Sequence, residues 1–140
     1  MTNERNPKTV LIADDDPTSL LMLETLAAAF KLETVTATSV AGAKRLLKEV
    51  TPDMAILDVL LPDGDGVDIL LEIRGAGILA AVALISATLA EFPFHKCGEN
   101  KPDIIFEKPI DCHAVSSWIE KHIASLNERA IPAASSEVPE

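Results

Sequence analysis

Five short strand-like runs punctuate the chain: the apolar Thr9 to Ala13, Met54 to Leu57, Leu79 to Ile85 and Ile104 to Phe106, and Leu32 to Ala37, where Thr34 and Thr36, continued by Thr38, alternate with Val35 and Ala37. Most have no polar residue at alternate positions, so they cannot turn one face to water and must be covered on both. Between them the apolar spacing changes to three and four residues, the mark of helices packed on one side. Strands that alternate with helices predict an α/β protein, a doubly wound five-stranded parallel sheet with helices on both faces.

The helical stretches carry their own boundaries. Pro17 suits the first turn of a helix bearing Leu20, Leu23, Leu26 and Phe30. Ser39 is placed to cap a second, with Val40, Ala43, Leu46, Leu47 and Val50 on its buried side. Val67, Leu70, Leu71 and Arg74 form a third, ending near Gly75 and Gly77. Leu89 to Gly98 is a poor helix because Pro93 interrupts it. Asp111 caps the last, which carries Val115, Trp118, Ile119, His122, Ile123 and Leu126.

With 140 residues, 48% of them hydrophobic, the chain suits one domain over residues 8–126, between a flexible N-terminus at 1–7 and a disordered tail at 127–140. The net charge of −10 argues against a nucleic-acid partner, which needs clustered Lys and Arg. The polar first nine residues carry no secretory signal, and the longest uncharged run, Ala76 to Ala90, is too short to span a membrane. Cys97 and Cys112 match no metal spacing and read as reduced packing residues, so a cytoplasmic location is expected. His95, His113 and His122 show no ligand spacing either.

In open α/β sheets the site lies beyond the carboxyl ends of the strands. Those ends hold Asp14, Asp15 and Asp16 after the first strand, Asp58 after the third, Ser86 after the fourth, and Lys108 with Pro109 after the fifth. Each alone is an ordinary cap or turn residue. Together they suit one task. Clustered carboxylates repel unless a cation sits among them, and few protein ligands with several waters is the pattern for Mg²⁺. A carboxylate can act as a nucleophile toward phosphorus, and a lysine and a metal ion supply the positive charge that phosphoryl transfer needs.

The quoted stretches Val-Leu-Ile-Ala-Asp-Asp-Asp-Pro, Pro-Asp-Met-Ala-Ile-Leu-Asp-Val-Leu-Leu-Pro-Asp-Gly-Asp-Gly, Leu-Ile-Ser-Ala-Thr and Phe-Glu-Lys-Pro-Ile-Asp, in this order, resemble a response-regulator receiver domain of bacterial two-component signalling, of the stand-alone type, over residues 8 to 126. The resemblance implies the flavodoxin-like strand order 2-1-3-4-5. It makes Asp58 the phosphoacceptor, Ser86 the switch hydroxyl and Lys108 the phosphate-binding lysine, with Mg²⁺ held by Asp15, Asp58 and the Leu60 carbonyl and by Asp14 through water. It implies a cis Lys108–Pro109 peptide, a sensor histidine kinase or histidine phosphotransfer protein as partner, and a protein target or phosphorelay reached through residues 89–122. The chain is then a signalling switch that catalyses its own phosphorylation, not an enzyme acting on a separate substrate. Leu60 and Thr88 occupy the positions that tune dephosphorylation, and they predict slow decay. Where the family often has an aromatic switch residue, three before the lysine, this chain has Ile105. Either the neighbouring Phe106 takes that role through a shifted strand, or the switch works without a ring.

Two other readings compete. Asp14-Asp15-Asp16-Pro17-Thr18 also fits the Asp-x-Asp-x-Thr of haloacid-dehalogenase-type phosphohydrolases, with Asp14 as nucleophile, but no acidic pair follows on a later strand. Asp63, Asp65, Gly66 and Glu72 fit positions 3, 5, 6 and 12 of an EF-hand loop, but Leu61 stands at position 1. A turn and a helix cap explain them better.

Overall fold

The computed structural model describes residues 8–130; residues 1–7 and 131–140, where a flexible start and most of a disordered tail are predicted, lie outside it. The chain alternates strand and helix as β1 Thr9–Ala13, α1 Pro17–Ala29, β2 Glu33–Ala37, α2 Val40–Leu47, β3 Met54–Asp58, α3 Gly66–Gly75, β4 Ala81–Ser86, α4 Phe94–Cys97, β5 Ile104–Glu107 and α5 Cys112–Ala130. The five strands form one parallel sheet in the order β2-β1-β3-β4-β5.

Both faces of that sheet are covered, which is why the inner strands β1, β3 and β4 are apolar along their buried length, up to Asp58 and Ser86 at the ends of β3 and β4. The edge strand β2 instead alternates Thr34 and Thr36 with Val35 and Ala37. Leu11, Ala55, Leu57, Val82 and Leu84 pack with α2, α3, Phe92 and Cys97. Their strand neighbours Val10, Ile12, Met54, Ile56, Ala83 and Ile85 pack with Leu23 and Ala27 of α1 and with Val115, Trp118 and Ile119 of α5. Since successive strand residues point to opposite faces, a one-residue slip would exchange the two cores.

Caps set the helix starts. Asp16 accepts from the Ser19 amide with Pro17 in the first turn, and the Ser39 hydroxyl accepts from the Gly42 amide. Asp65 and Asp68 close a reciprocal capping box on α3. Asp111 Oδ1 accepts from the amides of His113 and Ala114 at the head of α5.

Several boundaries differ from expectation. β4 begins at Ala81, where pairing with Met54 starts, so Leu79 lies outside it and is 82% exposed. Val50 falls beyond the end of α2. As expected, by contrast, Pro93 interrupts the fourth helical stretch, leaving a 3-10 turn at Leu89–Glu91 and the four-residue α4. α5 continues past residue 126 to Ala130, with neither Gly nor Pro to stop it sooner. Cys97 is buried as expected of a packing residue, but Cys112 is exposed, its Sγ 3.2 Å from Met22 Sδ.

Candidate functional site

Asp14 directly follows β1, Asp58 ends β3, Ser86 ends β4 and Lys108 directly follows β5. The sheet order therefore places all four at one edge, and Asp14, Asp58 and Ser86 are buried there. Asp14, Asp15 and Asp58 each bring a carboxylate oxygen within 4.8 Å of the other two. Asp16 stands apart from this group. Its carboxylate is engaged by the Ser19 amide and hydroxyl, which lowers its pKa, and the Asp-Pro pair at a helix start was the signal for that role.

The Asp58 carboxylate takes one donor on each oxygen. The Leu60 amide donates to Oδ1 at 3.0 Å and Lys108 Nζ donates to Oδ2 at 2.9 Å. Burial pulls the Lys108 pKa down, but the hydrogen bond and charge of Asp58, with the charges of Asp14 and Asp16, carry it above its ordinary value. The expected cis Lys108–Pro109 peptide is present.

Asp14 is fully buried. The Asp16 amide donates to its Oδ1 at 2.9 Å, while among the described residues its Oδ2 has no hydrogen-bond partner. Burial, against the pull of the Asp16 amide and helped by the charge of Asp58, pushes its pKa up to about 6. A buried, orphaned carboxylate oxygen beside two further carboxylates is the donor set of a hard divalent cation, and Mg²⁺ fits it.

Gly66 lies directly against the Asp58 backbone. A Cβ there would lie 2.6 Å from the Asp58 carbonyl oxygen, so only glycine lets α3 begin against the backbone of β3. The acidic residues that mimic an EF-hand serve other ends. Asp63 accepts from the Val40 and Ala41 amides at the start of α2, and Asp65 and Asp68 also receive Lys96 Nζ at 2.9 and 3.1 Å.

The Ser86 hydroxyl donates to the Thr88 carbonyl at 2.8 Å, and the Thr88 hydroxyl accepts from the Ala90 amide. Leu60 is 77% exposed, at the rim of the site. Ile105 and Phe106 face opposite sides of β5. Ile105, half-buried, packs against the core cluster that contains Phe92 and Cys97, whereas Phe106 meets Trp118 edge-on at 6.3 Å between ring centroids. β5 is not shifted, because Phe106 pairs with Ile85 and Ile105 with Leu84. This register turns Phe106 toward the α1 and α5 layer and Ile105 toward the other face of the sheet. Sequence reasoning missed Glu107, whose Oε2 accepts from the Leu89 amide at 3.0 Å, and it missed Lys96; neither has a local pattern that names its partner.

Among known proteins, the family model described as response regulator receiver domain matches residues 10–120. Among curated relatives, a Mycobacterium tuberculosis protein named transcriptional regulatory protein KdpE is 40% identical over 78 residues, 56% of this chain, and the chain spans 34% of its length. Among solved structures, a CheY-like response regulator receiver domain protein from Methanospirillum hungatei superposes with TM-score 0.79 at 16% identity, over 89% of this chain and 99% of its own. The receiver domain of a Pseudomonas aeruginosa sensor histidine kinase, whose active site cleft coordinates a magnesium ion, gives TM-score 0.73 at 17% identity, over 84% of this chain and 98% of its own. No described helix is long and apolar enough to cross a membrane.

Proposed function

The chain belongs to the response regulator receiver domain family of two-component signalling, and we propose that Asp58 is the residue on which it accepts its phosphoryl group. Receiver domains pair with histidine kinases and act as signalling switches rather than phosphohydrolases. The reading of this site rests above all on Asp58, a buried carboxylate with Lys108 Nζ on one oxygen and two further carboxylates beside it.

An oxygen of Asp58 attacks the phosphorus of a phosphohistidine or a small acyl phosphate. The new O–P bond forms as the bond to the departing imidazole or acyl oxygen breaks. Lys108, already within hydrogen-bond reach of Asp58, neutralises charge on the equatorial oxygens of the transferring group. Asp14, Asp15, Asp58 and the Leu60 carbonyl are the proposed Mg²⁺ ligands, Asp14 through water. The chemistry a bound Mg²⁺ supplies is further charge neutralisation at the phosphoryl oxygens. Ser86 exchanges its Thr88 contact for a phosphoryl oxygen, and the surface over residues 89–122 passes the change to a protein target, or the group is relayed onward. The net charge of −10 favours a protein over nucleic acid for the contact this domain itself makes. Catalysis of its own phosphorylation and a cytoplasmic location belong to the same proposal.

Intact-mass measurement after incubation with acetyl phosphate and Mg²⁺ tests this. One added phosphoryl group, absent in Asp58→Asn and absent with chelator, is the expected result. An adduct that survives in Asp58→Asn and disappears in Asp14→Asn would instead place the nucleophile on Asp14.

A further inference from the structure

We propose that Glu107 is a positioning residue: it holds the loop after β4 to β5, and so governs how readily Ser86 can reach a phosphoryl group on Asp58. This rests on the phosphoacceptor reading above and concerns the regulation of that same site.

Three consecutive amides, at Thr88, Leu89 and Ala90, head the 3-10 turn, and each finds a side-chain oxygen. Thr88 N–H donates to Ser86 Oγ at 3.3 Å, Leu89 N–H to Glu107 Oε2 at 3.0 Å, and Ala90 N–H to Thr88 Oγ1 at 3.2 Å. The single hydroxyl hydrogen of Ser86 is committed to the Thr88 carbonyl. Donating it to a phosphoryl oxygen leaves that carbonyl without this donor, so the loop must rearrange as the hydroxyl turns.

The three acceptors are not equivalent in that movement. Ser86 and Thr88 belong to the loop or its root and can move with it. Glu107 belongs to the sheet. It is the register partner of Ser86 on β5, and the next amide, that of Lys108, donates to the Ser86 carbonyl at 2.8 Å. By strand alternation Glu107 shares a face with Ile105, whose side chain packs toward Phe92 and Cys97, so it stands on the side of the sheet where the loop descends into α4. Ile105 has no ring to couple this face to Ser86. The carboxylate one step further along the same face makes a polar connection instead.

Two substitutions separate this role from simple capping. Glu107→Ala removes the acceptor, while Glu107→Gln keeps an amide oxygen in its place. Both are compared with the unsubstituted protein for amide hydrogen exchange at Leu89 and for Mg²⁺-dependent affinity for beryllofluoride, a stable mimic of the phosphoryl group. In Glu107→Ala, Leu89 exchange should accelerate and beryllofluoride should bind about fivefold more tightly, the effect of one hydrogen bond lost from the unphosphorylated arrangement alone. Glu107→Gln should resemble the unsubstituted protein in both. Equal or weaker beryllofluoride binding in Glu107→Ala overturns the positioning role and leaves the phosphoacceptor reading standing. No binding by the unsubstituted protein overturns both.

Discussion

Lys108 Nζ and Asp58 Oδ2 lie 2.9 Å apart, in a pair whose carboxylate side chain is only 4% exposed while the lysine's is 33% exposed. Removing the lysine would leave a buried acceptor facing nothing, whereas the lysine head could return to water. Lys108→Met should therefore lower stability by roughly 1–3 kcal/mol in the metal-free protein, read by urea unfolding. Mg²⁺ should restore part of the loss. A lysine whose pKa is raised on folding contributes fully below its unfolded value and loses that contribution only as pH rises through the higher folded one. The difference between the two proteins should thus stay flat from about pH 7, where Asp14 is ionised, up to the ordinary lysine value of 10.5, and shrink in acid as the facing carboxylates protonate.

Asp14 titrates in a different window. Its pKa is raised to about 6 by burial, so without metal it is largely protonated in mild acid, and a cation must displace that proton. Mg²⁺ affinity should be constant above pH 7 and fall about tenfold per pH unit below pH 6. Calorimetry at pH 6 in buffers of different ionisation enthalpy should reveal release of a proton on binding. In the metal-free protein the sign is opposite to that of a paired carboxylate: ionising Asp14 costs stability, and the cost grows as pH rises from 3.8 to about 6. Asp14→Asn should therefore stabilise the metal-free protein at neutral pH and much less at pH 4, as thermal melts would show.

Gly66 is the most position-sensitive glycine. A methyl group added there meets the Asp58 carbonyl oxygen at 2.6 Å, and backbone must shift to admit it. Gly66→Ala should cost about 1–3 kcal/mol and reduce phosphorylation by acetyl phosphate, because the displaced atoms belong to Asp58, the proposed phosphoacceptor. Gly75→Ala, where a Cβ meets nothing within 4 Å, is the matched control and should be neutral or mildly stabilising.

Loss of the phosphoryl group should be slow. Leu60 is exposed at the rim and offers no polar atom to orient a water, while the Thr88 hydroxyl is held by the Ala90 amide. The double variant Leu60→Asn, Thr88→Glu should lose phosphate faster by about tenfold or more, timed by intact mass after removal of the phosphodonor. Decay no faster than in the unsubstituted protein would show that side chains at these positions do not set the lifetime.

The placement of Asp14, Asp58, Ser86 and Lys108 was legible because unbroken apolar strands have unambiguous ends, and the chemistry stands where hydrophobicity stops. Asp16 was also legible in principle, since Asp-Pro before an apolar helix marks a cap. Leu79 misled for a physical reason: apolarity shows what can be buried, but where pairing begins depends on which neighbour is available, and Met54 pairs first with Ala81. Asp63 caps a helix that begins 23 residues earlier, and Glu107 reaches an amide 18 residues earlier. Contacts of that kind are decided by how loops pass one another, and local spacing holds no record of them. The face of Phe106 became clear only with the register of β5.

That register has a practical optical consequence. The chain has one tryptophan, Trp118, whose ring lies 6.3 Å from that of Phe106 and 4.8 Å from that of His122. Its emission therefore reports on the α1 and α5 layer, across the sheet from the side where Ile105 packs. A fluorescence change on loading the site would signal movement that has crossed the sheet into α5. A silent tryptophan would confine the movement to the opposite layer, and in both cases the protein supplies its own dye.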